Sequence, residues 1–219
     1  IKFYQASTSE IFGNTSSPQS ETTPFKPASP YATSKLYAYW ITKNYRDAYK
    51  LFAVNGILFN HEGCRRGETS VTRKITSAIG RIFHGSKEIL YLGNLDAKRD
   101  WGDAEDYIKS MWLMLQQKIP DDYVIATGKS YSVRKFVEEA FKIIKVKISW
   151  KGTGLNEVGY DAKSNRTYIK ISKIYFRPSE VYELKGNSKK ARKILKWKPK
   201  IGFKEMVTKM VQNDIEKFK

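Results

Sequence analysis

From position 31 to 49 the chain carries neither glycine nor proline, and two short apolar runs bracket this stretch. Ser29-Pro30 opens it with a capping hydroxyl followed by proline at the first helical position, so a helix is expected to about Tyr49. The flanking runs, 1–6 (IKFYQA) and 51–60 (LFAVNGILFN), are short, aromatic or β-branched, and bounded by polar residues, as strands are. Gly56 inside the second run is expected to mark an irregularity. Strand, helix, strand is the pattern of a parallel sheet, whose ligands sit at the C-terminal ends of the strands. Those ends here are Ser7-Thr8-Ser9-Glu10 and Asn60-His61-Glu62.

Tyr31 and Lys35 lie four apart and therefore on one helical face. An ammonium beside a phenol favours the phenolate, which makes Tyr31 a candidate acid/base for a sugar or alcohol hydroxyl. The hydroxyls of the Ser-Thr-Ser run and Glu10 complete that candidate site. By itself, in a chain with 14 tyrosines, Tyr-x-x-x-Lys describes a solvated helix face more often than a site. Tyr37, Tyr39 and Trp40 on the same helix read as packing residues.

The remaining pattern continues the alternation. A Ser/Thr/Pro/Asn loop covers 12–28; helices are expected over 71–84, from Asp103 to 117, and from Ser132 to 144. Strands are expected over 89–93, 122–127 and 168–171, with 145–150 extended, 152–165 a polar loop, and 176–180 a pocket-facing turn. Two basic amphipathic helices, about 188–195 and 203–218, follow. Taken singly, His61 reads as a packing histidine and Arg99, Arg177 and Glu180 as surface charges. Arg65-Arg66 is either an exposed basic turn or a pair of guanidiniums suited to phosphate.

Composition narrows the classes. At 219 residues and 41% hydrophobic content the chain holds one large or two small globular domains. No run approaches the roughly 20 apolar residues that span a bilayer, and a single Cys64 excludes an internal disulfide. With no signal peptide, a soluble cytoplasmic protein is expected. The net charge of +18 raises nucleic-acid binding. The lysines are scattered, however, and no helix-turn-helix, zinc or RNP signature accompanies them. No metal site and no nucleic-acid partner are expected. Beginning in mid-strand at Ile1, the chain reads as a piece of something longer.

The strand ending in Ser-Thr-Ser-Glu ahead of Tyr31 and Lys35 resembles the extended short-chain dehydrogenase/reductases of the NAD-dependent epimerase/dehydratase group. Within it, STSEIFG, ETTPFKPASPYATSKLYAYW, LFNHEGCRRGETSVTRKIT, YLGNLDAKRDWG and YFRPSEV are similar to the GDP-mannose 4,6-dehydratases. This resemblance implies an α/β fold: the C-terminal part of a Rossmann-type parallel sheet with flanking helices, plus a smaller α+β substrate-binding domain. Residues 1–60 and 101–130 would form the NADP-binding part, 61–100 and 131–219 the nucleotide-sugar part.

The resemblance also implies roles. Thr8, Glu10, Tyr31 and Lys35 would be catalytic. Lys35, His61 and Arg66 would meet NADP, and Asn60, Lys74, Arg99, Arg177 and Glu180 would meet GDP-mannose. The Arg65-Arg66 loop would cross an interface in a homodimer or homotetramer. Gly63-Cys64 stands where the family usually has Ser-Pro, a departure that bears on how this loop is anchored. Thr-Ser-Glu resembles the GDP-mannose enzymes, whereas dehydratases acting on dTDP-glucose resemble Thr-Asp-Glu. Another nucleotide-sugar dehydratase, a 4-epimerase and a fragment that binds without catalysing remain alternatives. The glycine-rich strand-to-helix turn that cradles a dinucleotide's pyrophosphate is not in this sequence; the resemblance puts it well upstream of the Ser-Thr-Ser-Glu strand.

Overall fold

A computed structural model describes residues 1–176 and 179–219, so expectations that fall on Arg177 lie outside the described residues. In chain order the elements begin with β1 (Lys2–Thr8), a 3-10 turn (Ser9–Phe12), α1 (Pro30–Tyr49), β2 (Phe52–Leu58) and β3 (His61–Glu62). Next come α2 (Val71–Phe83), β4 (Leu90–Leu92), β5 (Lys98–Arg99), β6 (Gly102–Asp103) and α3 (Ala104–Leu115). They are followed by β7 (Asp122–Ile125), β8 (Tyr131–Ser132), α4 (Val133–Ile143), β9 (Ile148–Lys151), β10 (Val158–Asp161) and β11 (Thr167–Ile171). The last are β12 (Glu183–Leu184), α5 (Lys189–Ile194) and α6 (Phe203–Lys217). Two compact units result: Ile1–His61, Lys98–Ser130 and Ser179–Gly202 form the first, and Glu62–Ala97, Tyr131–Pro178 and Phe203–Lys219 the second.

The first unit is built on a parallel sheet in the order β1-β2-β7. Side chains alternate across its strands, and both faces are covered, which explains the nearly continuous apolar runs. Ile57, Phe59, Val124 and Ala126 pack with Tyr39 of α1 and with Ile11 and Phe12. Val54, Leu58, Tyr123 and Ile125 pack on the opposite face with Tyr107 and Met114 of α3 and Ala191 of α5. The short pairing of β12 with β5 joins 179–202 to this unit, so the compact unit and the expected domain division differ over those residues and over 61 and 98–100.

Helix α1 starts as its sequence requires, with the Ser29 hydroxyl accepting from the Ala32 amide at 3.1 Å. It ends at Lys50 in the left-handed conformation (φ 54°). A buried polar staple ties it to the sheet. Arg46 donates to both carboxylate oxygens of Asp122 (2.8 and 3.0 Å), Tyr39 donates to the same group at 2.8 Å, and Asn55 Nδ2 donates at 2.9 Å. Tyr39 is buried as expected, and Trp40, though half exposed, packs edge-on against the Tyr39 and Phe25 rings; Tyr37, which is mostly exposed, is a correction. Gly56 is a second correction. Its register with Ala6 and Tyr123 is regular, and a Cβ there would sit 2.7 Å from the Tyr4 ring. The glycine makes room for a neighbouring tyrosine and does not bend the strand.

The second unit holds a sheet in the order β4-β11-β10-β9, parallel between β4 and β11 and antiparallel elsewhere, together with the packed helices α2, α4 and α6. Gly80 allows α2 and α6 to approach, since a Cβ would lie 2.6 Å from the Asp214 carbonyl oxygen. Arg73 and Asp214, both buried, form an ion pair across the same contact. The stretch 152–165, expected as loop throughout, contains β10. That strand is four residues long and mixed in polarity, so its pairing with β9 and β11 defines it more than its own pattern does.

Candidate active site

Strand β1 runs directly into the 3-10 turn, and Thr8 is the hinge between them. Its hydroxyl accepts from the Glu10 amide at 3.3 Å, capping the turn that presents the Glu10 side chain. Helix α1 packs against both β1 and this turn. Lys35 reaches back from α1 and donates to the Ala6 carbonyl at 2.9 Å, two residues before Thr8. Its ammonium lies 5.9 Å from the Tyr31 ring centre, and the Tyr31 ring is half exposed. The strand end and the first turns of the helix thus bring a hydroxyl, a carboxyl, a phenol and an ammonium to one end of the sheet.

The end of β2 adds to the same unit. His61 Nδ1 lies 3.0 Å from the Phe59 carbonyl, and its ring stacks on Tyr107 with centroids 5.2 Å apart. With a carbonyl as its acceptor, Nδ1 carries the proton of the neutral ring. The Asn60 carbonyl oxygen of the side chain is buried with no hydrogen-bond partner among the described residues, an acceptor without a donor.

Arg99 is 7% exposed, against its reading as a surface charge. One terminal nitrogen, Nη1, donates to the carbonyls of Lys98 (2.9 Å) and Val181 (2.8 Å). Nε lies 4.0 Å from Glu10 Oε1, and Nη2 lies 3.7 Å from Glu180 Oε1. Glu180 is also no isolated surface charge: its side chain is 17% exposed and its carbonyl accepts from Asn14 at 2.7 Å. The neighbouring Asp100, fully buried, accepts from the amides of Thr127, Gly128 and Gly186 and from the Thr127 hydroxyl at 2.6 Å. Burial raises its carboxyl's pKa despite these bonds. Strand β5, which carries Arg99, is held at its next residue.

Arg66 and Lys74 belong to the second unit. Arg66 Nε pairs with Glu62 at 3.2 Å, and Glu62, 1% exposed, also accepts from the Thr72 hydroxyl at 2.5 Å. Burial pushes the Glu62 carboxyl up, while the Arg66 charge and the hydroxyl bonds act against it. The Lys74 ammonium sits 3.3 Å from the Tyr175 ring centre, a cation–π contact. Glu62, Tyr107, Tyr175 and the Ala6 carbonyl were not singled out from the sequence. Tyr107, Tyr175 and the Ala6 carbonyl act through partners distant in the chain or through the backbone, whereas Glu62, paired with Arg66 and Thr72 nearby in sequence, left a trace as an acid beside the arginine loop.

Comparison with known proteins follows this geometry. A family model described as GDP-mannose 4,6 dehydratase matches residues 1–210. The chain is 57% identical over 220 residues to the GDP-mannose 4,6 dehydratase of Dictyostelium discoideum, covering all of this chain and 62% of that protein. It is 54% identical over 217 residues to the Homo sapiens protein of the same name, covering 99% of this chain and 58% of that one. The chain therefore spans somewhat over half the length of these relatives. Among solved structures, RMD from Pseudomonas aeruginosa complexed with NADPH superposes with a TM-score of 0.81 at 18% identity, covering 98% of this chain and 66% of that one. UDP-glucose 4-epimerase from Thermotoga maritima gives 0.80 at 20% identity, covering 100% and 64%. These last two likenesses establish the α/β epimerase/dehydratase fold. Among the described residues no helix is long and apolar enough to cross a membrane.

Proposed function

Because this chain belongs to the GDP-mannose 4,6-dehydratase family, we propose that it contributes to the conversion of GDP-mannose to its 4-keto-6-deoxy derivative within the whole protein. The observation that carries the reading is the tie from Lys35 to the Ala6 carbonyl, which binds the Tyr31 helix to the strand that ends in Thr8 and Glu10. In this reading Tyr31, as phenolate, takes the proton of the C4 hydroxyl, with the Lys35 ammonium beside it as counter-charge. The Thr8 hydroxyl, whose oxygen already accepts from the Glu10 amide, keeps its own proton to orient that C4 oxygen. Once C4 is a ketone, the C5 hydrogen is acidic. Glu10 removes it and returns a proton to the departing C6 hydroxyl, so that one water is lost; when hydride is restored at C6, C5 takes a proton back from Glu10, whose proton comes from solvent. Ser9 stands where the acid partner of the dTDP-glucose enzymes would be, so Glu10, or a water that it orients, serves both steps.

NADP, when bound, supplies the hydride acceptor at C4 and the hydride donor at C6. Lys35 and His61 fit its nicotinamide end, at the C-terminal edge of the sheet where such cofactors lie; Arg66 offers a guanidinium for one of its phosphates. No glycine-rich strand-to-helix turn occurs among the described residues, so the contacts to its pyrophosphate are assigned to no residue of this stretch. The orphan Asn60 acceptor suits a sugar hydroxyl, and Lys74 and Glu180 complete the substrate contacts. The arginine loop at Arg65-Arg66 is assigned to an interface between copies in a dimer or tetramer, and the protein to the cytoplasm. A 4-epimerase needs no base for C5, and Glu10 at the strand end favours the dehydratase over it. Tyr31→Phe in the holoenzyme tests the reading: turnover of GDP-mannose should be lost while GDP binding persists. Turnover at the parent rate would refute it.

A further inference from the structure

Arg99 is a guanidinium of the first unit whose charged nitrogens face two carboxylates of the candidate site. Its Nη1 is fixed by two main-chain carbonyls, Lys98 and Val181, so the group cannot rotate freely. That anchoring directs Nε toward Glu10 and Nη2 toward Glu180. The anchor is itself rigid: the following residue, Asp100, is buried and holds three backbone amides. The Glu10 side chain is 15% exposed and Arg99 9%, so their attraction acts where water screens it poorly. At 4.0 Å the Arg99–Glu10 pair is a charge contact that draws the carboxylate toward the anchored guanidinium without a hydrogen bond of its own.

We propose that Arg99 is a positioning residue for Glu10: the anchored guanidinium, with Glu180 on its far side, sets where the elimination base sits. This rests on the dehydratase reading for its chemistry, and it gives Arg99 a task besides any contact with the nucleotide's phosphates. The two tasks separate experimentally. A residue that only grips the diphosphate raises the apparent KM and the Kd for GDP and leaves the saturated elimination step alone. A residue that positions the base lowers that step at saturation.

The discriminating variant is Arg99→Lys, which keeps a phosphate-binding cation but loses the planar fork. In the holoenzyme with saturating GDP-mannose in deuterated water, entry of solvent deuterium at C5 should fall by about 10²-fold, the cost of misplacing a reacting group by roughly an ångström. GDP binding should stay near that of the parent. Exchange at the parent rate overturns the proposal, and so does a loss confined to GDP affinity. A second measurement does not depend on turnover. In the 219-residue chain, the carbon-13 carboxyl resonance of Glu10, assigned by its absence in Glu10→Gln, should move in both Arg99→Lys and Arg99→Gln. It should stay in place in the neighbouring Lys98→Gln. An unmoved resonance in the arginine variants overturns the proposal even where the dehydratase reading has failed through lack of exchange in the parent.

Discussion

Replacing Arg46 by methionine tests the staple beneath the Tyr31 helix. The Asp122 carboxylate accepts two bonds from Arg46, one from Tyr39 and one from Asn55, and it is 7% exposed. Methionine fills much of the space of the arginine stem but leaves a buried carboxylate without its counter-charge. Breaking a buried pair on one side costs about 3–5 kcal/mol. With a urea slope of about 2–3 kcal/mol/M, the unfolding midpoint should fall by about 1–2.5 M. Removing both charges, Arg46→Met with Asp122→Leu, should cost less than the two single changes added together. The pH dependence has a defined sign. Burial acts to raise the Asp122 carboxyl, but the bonds from Arg46 and Asn55 and the Arg46 charge outweigh it and hold it below its ordinary 3.8. A depressed carboxyl gives stability that is fully present above the ordinary value and is lost as pH falls through the folded one. That acid-side loss should therefore shrink in Arg46→Met. Urea melts by tryptophan fluorescence at neutral pH and below pH 3.8 measure both effects. A midpoint shift under about 0.3 M at neutral pH, less than roughly 1 kcal/mol at that slope, would refute the reasoning.

Other expectations follow from single contacts. Gly56→Ala puts a methyl against the Tyr4 ring and should cost about 1–3 kcal/mol in the same melt, partly recovered by Tyr4→Leu. Ser29→Ala removes the hydroxyl that caps α1 and should cost about 1 kcal/mol, with faster amide exchange confined to its first turn. If the arginine loop lies between copies, light scattering of the cofactor-loaded whole protein gives a dimer or tetramer; a monomer contradicts that assignment.

Much of the frame that carries the candidate site was legible because it is local. The Ser29-Pro30 start, the Tyr31–Lys35 spacing and the first alternation of strand and helix are all short-range patterns, and β1, α1 and β2 fall where those patterns put them. What was not legible depends on partners far away in the chain. Gly56 looked like a strand breaker because the Tyr4 ring that needs its space belongs to another strand. Strand β10 hid in a polar, glycine-rich stretch because its neighbours define it. Arg99 looked like surface charge until β5 and β12 paired and buried it. The Arg46–Asp122 staple joins residues 76 apart, beyond the reach of any spacing rule.

The central claim is that Glu10, presented by the Thr8-capped turn, is the base for the elimination. Glu10→Gln keeps the shape and a hydrogen-bonding group but cannot take the C5 proton. In the holoenzyme given GDP-mannose in deuterated water, the measurement is solvent deuterium entering C5 together with release of the 6-deoxy product. Both should fall by about 10²- to 10⁴-fold, the usual contribution of a positioned acid–base group. Oxidation at C4, assigned to Tyr31, Lys35 and Thr8, should persist and be followed, with enzyme in stoichiometric amount, as transfer of a deuterium label from C4 of the sugar to the bound nicotinamide. Deuterium entry and product release at close to the parent rate would contradict the account.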